Sequence, residues 1–240
     1  LAGKAEWLNT SVLVFRPDKP LAGGTTYTGI VSGDLKDADG NPLQGEYRWT
    51  FSTVAPAVVS VSPAGGAETR ARIDAPIVVR FNQPVDAATA RGAFRLASGG
   101  AVIDGQSAVA GDTLTFTPTQ RLPFDTPFTA RVDAGVTSAS GGVPGDDPYE
   151  WSFTTVPLPA IVEVLPRDGE PAADPYTALT IRFNTDIDPA TVMSHLSMTP
   201  AFSPALVYTY FNTYDHTFVL NFDAKPGANY DVRIDAGIAD

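Results

Sequence analysis

The chain has 240 residues with 16 Lys and Arg against 27 Asp and Glu, and its net charge of −11 repels nucleic-acid phosphates and anionic lipid surfaces alike. The absence of cysteine removes disulfides, thiolate nucleophiles and thiolate metal sites together, so each domain must be held by its apolar core. With 21 Gly, 21 Pro, 43% hydrophobic and only 18% charged residues, the composition predicts an all-β chain of two or three domains.

Taken in order, residues 1–54 read as the later strands of a first unit. Phe15, Pro17, Leu21 and Tyr27 mark its middle, and Tyr47-Arg48-Trp49-Thr50-Phe51-Ser52-Thr53 is its last strand. Nothing before Phe15 resembles the strands that open the next unit. A short linker, Val54-Ala55-Pro56, follows. Residues 55–156 read as a complete second unit, opening with Pro56–Pro63 and the strand Ile77–Phe81. Asp86-Ala87-Ala88-Thr89 then predicts a short helical turn behind an Asp N-cap. Phe116, Pro118, Leu122 and Phe128 repeat the middle of the first unit, and Tyr149-Glu150-Trp151-Ser152-Phe153-Thr154-Thr155 repeats its end at a shift of 102.

The linker Val156-Pro157-Leu158-Pro159 leads into a third unit, residues 157–240. Pro56–Pro63 returns there as Pro159–Pro166, and Ile77, Val79, Phe81, Asn82 and Asp86 return as Leu179, Ile181, Phe183, Asn184 and Asp188. Asp188 followed by Pro189 marks a helix start, with proline at the first helical position. Arg131–Val136 reappears as Arg233–Ile238, but no closing Tyr-x-Trp-x-Phe strand follows. Tyr149, Trp151 and Phe153 point one way and Glu150, Ser152 and Thr154 the other, as in a strand with one buried face. Seven or so such strands per roughly 100 residues predict a two-sheet sandwich. The first unit is expected to lack its opening strands and the third its last, so both are expected to be poorly ordered or completed by a neighbour, and the chain to be a piece of a longer one.

Pro56–Ala67, Phe81–Asp86, Thr115–Pro118 and Trp151–Thr155 together resemble the bacterial immunoglobulin-like repeat of S-layer proteins, in three copies, one complete and two partial. Glu6–Ser11, Phe15-Arg16-Pro17, Leu21–Tyr27 and the stretch from Asn184 to Thr199 resemble, more narrowly, the N-terminal arrays of large bacterial α2-macroglobulin-like proteins. That resemblance implies a parent that traps proteases, sometimes through a Cys-Gly-Glu-Gln thioester. No cysteine occurs here, so such chemistry would lie elsewhere.

The candidate sites are few. Asp37-Ala38-Asp39-Gly40-Asn41 carries carboxylates and an amide at alternate positions, like the start of a calcium loop, but Arg48 stands where the closing Glu would be. A strand-joining turn demands the same residues. Asp146 and Asp147 are adjacent loop carboxylates with no defined cleft between them. His195 and His216 have no strand- or helix-spaced ligand partner and no serine elbow. Tyr208, Tyr210 and Tyr214 form an aromatic run that could contact a ligand, or pack as strand residues.

No catalytic, cofactor or metal site emerges, and the expected function is a non-enzymatic structural or interaction module of a secreted or cell-surface bacterial protein. A carbohydrate- or protein-binding adhesin or S-layer module, or an accessory domain of an extracellular hydrolase, are the rival readings. Its expected partners are other domains of the same chain and a protein or glycan ligand, with no nucleic acid and no membrane insertion by this segment: it has no run of about 18 apolar residues, and any export signal is expected outside it.

Overall fold

Side chains that alternate between apolar and polar build a ladder with one wet and one dry face, and the dry face is buried only where a second sheet covers it. The computed structural model describes residues 1–37, 39–67, 69–170, 178–201 and 207–238, in two compact units, residues 1–155 and 156–240.

The first unit opens with two antiparallel pairs. Strand β1 (Gly3–Trp7) pairs with β2 (Leu13–Pro17), and β3 (Thr26–Val31) with β4 (Tyr47–Ser52). Next come β5 (Val58–Ser62), β6 (Arg70–Ala71), β7 (Ile77–Phe81), helix α1 (Ala87–Ala93), β8 (Phe94–Ser98), β9 (Ala101–Val102), β10 (Gly105–Ala110), β11 (Thr113–Pro118), β12 (Pro127–Val132) and β13 (Tyr149–Thr155). They form two sheets, β10-β11-β7-β5 and β6-β13-β12-β8-β9, antiparallel except where β13 meets β6. Between the sheets Ile77, Val79, Phe81, Leu96, Leu114, Phe128, Ala130, Trp151 and Phe153 are buried. Phe94 lies 5.0 Å from Phe116 between ring centroids, and Phe128 stacks on Phe153 at 5.6 Å. The Trp151 indole N–H donates to the Pro63 carbonyl at 3.1 Å, so the one polar atom of this large core side chain is satisfied.

The second unit contains β14 (Ile161–Leu165), β15 (Leu179–Phe183), α2 (Pro189–His195), β16 (Leu196–Thr199), β17 (Tyr208–Asn212), β18 (Thr217–Asn221) and β19 (Asp231–Ile234). The sheet β14-β15-β18-β17 repeats β5-β7-β11-β10 strand for strand, and the pair β16-β19 repeats β8-β12. Even the irregularities recur. The β5–β7 register shifts between Val58 and Ser60, and that of β14–β15 between Ile161 and Glu163, one bulge at one place in the repeat. The Arg-x-Asp motif makes the same ion pair twice, Arg131–Asp133 at 2.6 Å and Arg233–Asp235 at 2.9 Å; both are exposed, so they add little stability.

Both helices start as expected. The Asp86 carboxylate accepts from the Thr89 backbone N–H at 2.9 Å, and that of Asp188 from Ala190 N–H at 3.0 Å with Pro189 in the first turn. Each then runs to seven residues and passes directly into a strand.

The alternation in the closing strand behaves differently in its two copies. In β13, Trp151, Phe153 and Thr155 are buried as expected, whereas every residue of β4 is exposed. Trp151 is 6% exposed and Trp49 45%, although the local sequence is nearly the same. The physical reason is that β3 and β4 have each other but, among the described residues, no second sheet across their apolar face, as β12 and β13 have. The pairing itself survives without that cover: Tyr27 still stacks on Phe51 at 5.6 Å, matching Phe128 on Phe153.

Truncating Phe153 to alanine is expected to cost about 3–5 kcal/mol, while Phe51→Ala at the matching position costs under about 2 kcal/mol, read by urea unfolding. A second expectation concerns pH. Hydrogen bonds from the Thr89 backbone, then from its side chain, hold the Asp86 carboxyl below its ordinary value of 3.8. Its capping contribution is therefore present above that value and lost as pH falls through the lowered folded-state value, and Asp86→Asn removes this part of the acid sensitivity of unfolding.

Candidate functional site

Two sets among the exposed aromatic side chains have different causes. Phe15, Trp49 and Phe51 are 48%, 45% and 45% exposed, yet their counterparts Phe116, Trp151 and Phe153 are core residues. These are core positions left uncovered. Tyr208, Tyr210 and Tyr214 are 65%, 47% and 95% exposed for another reason. Strand β17 is an edge strand paired with β18, in the register Tyr208↔Asn221, Tyr210↔Val219 and Asn212↔Thr217. Side-chain alternation sends Phe211 into the core and leaves Tyr208 and Tyr210 on the outer face. Their rings lie 6.1 Å apart, tilted by 40°. Tyr214 sits on the turn between β17 and β18, where its N–H donates to the Asn212 side-chain oxygen at 3.0 Å. The structure thus brings two of the three tyrosines together and places the third on the hairpin turn.

The remaining sequence candidates do not assemble a reacting centre. The Asp37 carboxylate accepts from Asn41 N–H at 2.8 Å, Asn41 Nδ2 at 2.9 Å and Asp39 N–H at 3.0 Å, and these bonds, led by the Asn41 side chain, hold its carboxyl below the usual range. Those oxygens brace a turn bridged by Lys36 and Pro42; Ala38 lies outside the described residues. Asp146 and Asp147 are exposed. His195 Nδ1 is 2.7 Å from the Thr191 carbonyl, and His216 Nδ1 is 3.0 Å from Asp186 Oδ1. Among the described residues no group of three or more His, Asp or Glu side chains could hold a metal ion.

What the sequence reading missed is the polar hardware at the linkers. Asn82 Nδ2 donates to the Ala55 carbonyl at 3.0 Å while its Oδ1 accepts from Ala57 N–H at 3.1 Å. Asn184 does the same in the second unit, donating to Leu158 O at 3.1 Å and accepting from Ala160 N–H at 2.8 Å. One amide therefore clips the linker on both sides of a residue, just before β5 and just before β14. The signal was present in the recurrence of Phe81-Asn82 as Phe183-Asn184, but nothing in one dimension says which backbone an asparagine will meet.

A second set of contacts joins residues 21–24 to residues 140–143. Gly23 N–H donates to Gly141 O at 2.9 Å, Val143 N–H donates to Gly23 O at 3.0 Å, and the Ser140 hydroxyl donates to Leu21 O at 2.7 Å. Gln83 Nε2 donates to Val54 O at 2.9 Å, and so does Gly24 N–H at 2.9 Å. A Cβ on Gly142 would fall 2.0 Å from Gly23 O, so glycine is what permits the two segments to approach. The first 53 residues are in this way laced to the sandwich that follows.

The two-sheet sandwich and its repeat define an immunoglobulin-like β-sandwich module. The chain belongs to the bacterial Ig-like domain family, which matches it three times, over residues 2–53, 52–155 and 157–240. Among solved structures, L,D-transpeptidase 1 of Mycobacterium tuberculosis is 17% identical, with 65% of this chain and 60% of that one covered and a TM-score of 0.30. The N-terminal part of the bacterial S-layer protein SbsC is 17% identical over 75% of this chain and 44% of that one, with a TM-score of 0.34. A longer SbsC structure is 19% identical over 78% of this chain and 25% of that one, also at 0.34. The chain thus spans 60% or less of the length of these three structures. A search of the curated proteins found no match.

Asn82→Ala removes two hydrogen bonds from an exposed linker, and is expected to lower the stability of the sandwich by about 1–2 kcal/mol, measured by chemical unfolding. Hydrogen exchange at Ala57 should accelerate in the same variant.

Proposed function

We propose that this chain is a non-catalytic spacer and presentation module of a larger secreted or cell-surface bacterial protein. The observation that carries this reading is the laced junction of residues 21–24 with 140–143, together with the clipped linker at Ala55 and Ala57. A linker of three residues, one of them proline, bonded on both sides leaves little freedom for the first 53 residues to swing against the sandwich. Such a junction suits a part whose work is to hold other parts at a set distance. Ser194 Oγ lies 3.1 Å from His195 Nδ1, but both atoms also meet the Thr191 carbonyl, at 2.8 and 2.7 Å, so this pair braces the end of α2 and does not present a nucleophile with its base.

Membership of the bacterial Ig-like family and the resemblance of Pro56–Ala67 and Trp151–Thr155 to S-layer repeats support the envelope or extracellular location. In this reading residues 55–156 are one complete repeat, residues 1–54 the later strands of another, and residues 157–240 a third without its last strand. The partners in this reading are other domains of the same chain and a protein or glycan ligand; the acidic charge disfavours nucleic acid, and no helix among the described residues is long and apolar enough to cross a membrane. A parent of the α2-macroglobulin-like kind is the finer version, supported by the resemblance of Glu6–Ser11 and Leu21–Tyr27.

Gly142→Val tests the junction, because its side chain would collide with Gly23. In the parent chain, 15N relaxation should give amides of residues 1–53 the same tumbling time as those of residues 56–155. The variant should shorten the former alone. Independent tumbling of the two segments before any substitution contradicts the spacer reading.

A further inference from the structure

The outer face of β17 and β18 differs from its counterpart in the preceding repeat in a way the fold does not require. The register places Tyr208 and Tyr210 where β10 has Gln106 and Ala108, since Tyr210 lies opposite Val219 and Thr180 as Ala108 lies opposite Thr115 and Val78. Gln106 and Ala108 are themselves exposed in a sandwich whose two sheets are both in place. The tyrosines therefore stand on a face that stays open when a repeat is complete, unlike Trp49 and Phe51, whose counterparts are buried. The hairpin also differs. Gly111 and Asp112 suffice to join β10 to β11, while Thr213-Tyr214-Asp215-His216 joins β17 to β18, and the longer turn carries the 95%-exposed Tyr214.

The chemistry around the rings narrows the occupant. The neighbours on this face are uncharged: Asn221 opposite Tyr208, the buried Val219 opposite Tyr210, Asn212 and the buried Thr217 beyond it, and Thr180 and Leu165 further along the Tyr210 row. The charged residues of its rows, Arg182 and Glu163, are spent on each other at 3.2 Å. Among the described residues of this face no cation is left over for a phosphate, sulfate or uronate. Aromatic faces rimmed by neutral donors and acceptors suit a ligand that is itself a ring with apolar C–H faces and hydroxyl edges. A protein partner would call for a larger apolar centre than two tilted rings with Leu165, since Val219 beneath them is already buried.

We propose that Tyr208 and Tyr210 form a stacking platform for a neutral polysaccharide, with Tyr214 reaching it from the hairpin turn. The site is borne by the third repeat alone, so this module both spaces and holds a glycan. It does not rest on the spacer reading, and either can fail without the other.

Isothermal titration of the 240-residue chain with cellohexaose, chitohexaose and xylohexaose, with hexagalacturonate as the anionic comparison, tests it. At least one neutral oligosaccharide should bind, and Tyr208→Ala with Tyr210→Ala should weaken it about tenfold or more. Tyr208→Phe with Tyr210→Phe keeps the rings and should retain most of the affinity, which separates loss of stacking from loss of fold. Tyr149→Ala, in the second repeat, should change nothing. Binding of none of the neutral sugars, indifference to ring removal, preference for the anionic sugar, or self-association through the β17 edge in sedimentation would each overturn the proposal.

Discussion

Everything in this molecule depends on whether an apolar strand face has another sheet in front of it. In the second repeat Ile77, Val79 and Leu114 face Leu96, Phe128, Ala130, Trp151 and Phe153 across the gap, and all are buried. Without cysteines there is no covalent substitute for that contact. Burial of a single large side chain is worth about 1.5–3 kcal/mol, so the dozen or more in this core outweigh the scattered surface ion pairs many times over. The first repeat shows the converse. Its ladders form in the same register, Tyr27 against Phe51 and Gly29 against Trp49, yet the apolar faces look out on water.

A polar layer is fitted over that core. The amide of Asn82 and that of Asn184 each fix the stretch of chain entering a sheet, and Gly23, Gly141 and Gly142 let two backbones touch where side chains would hold them apart. These bonds contribute modestly to folding, about 1 kcal/mol each. Their larger effect is on motion, since a linker held on both sides cannot act as a free hinge.

Much of the fold was legible because its period is long and its landmarks are chemical. Trp-Ser-Phe-Thr-Thr and Phe-Asn recur at fixed shifts, and Asp86 and Asp188 announce their helices by capping chemistry that acts within four residues. Burial was legible only where both sheets are present: Tyr47–Ser52 reads as half-buried by pattern and lies exposed, because alternation specifies a dry face but not what covers it. The exposure of Tyr208 and Tyr210 was equally beyond the pattern, since strand aromatics pack inward or outward according to register. Asn82 shows the sharper limit. Its partners, Ala55 and Ala57, lie 25 or more residues away in sequence, and only the folded sheet brings them within reach.

With both sheets in place, the second repeat is a self-sufficient sandwich able to bear load between its neighbours. Stretching the chain from its ends, one molecule at a time, measures this directly. One dominant unfolding step should release roughly 340 Å of contour length, as expected for about 100 residues at about 3.4 Å each. Extension without such a step, at forces no higher than those that open the terminal repeats, would contradict it.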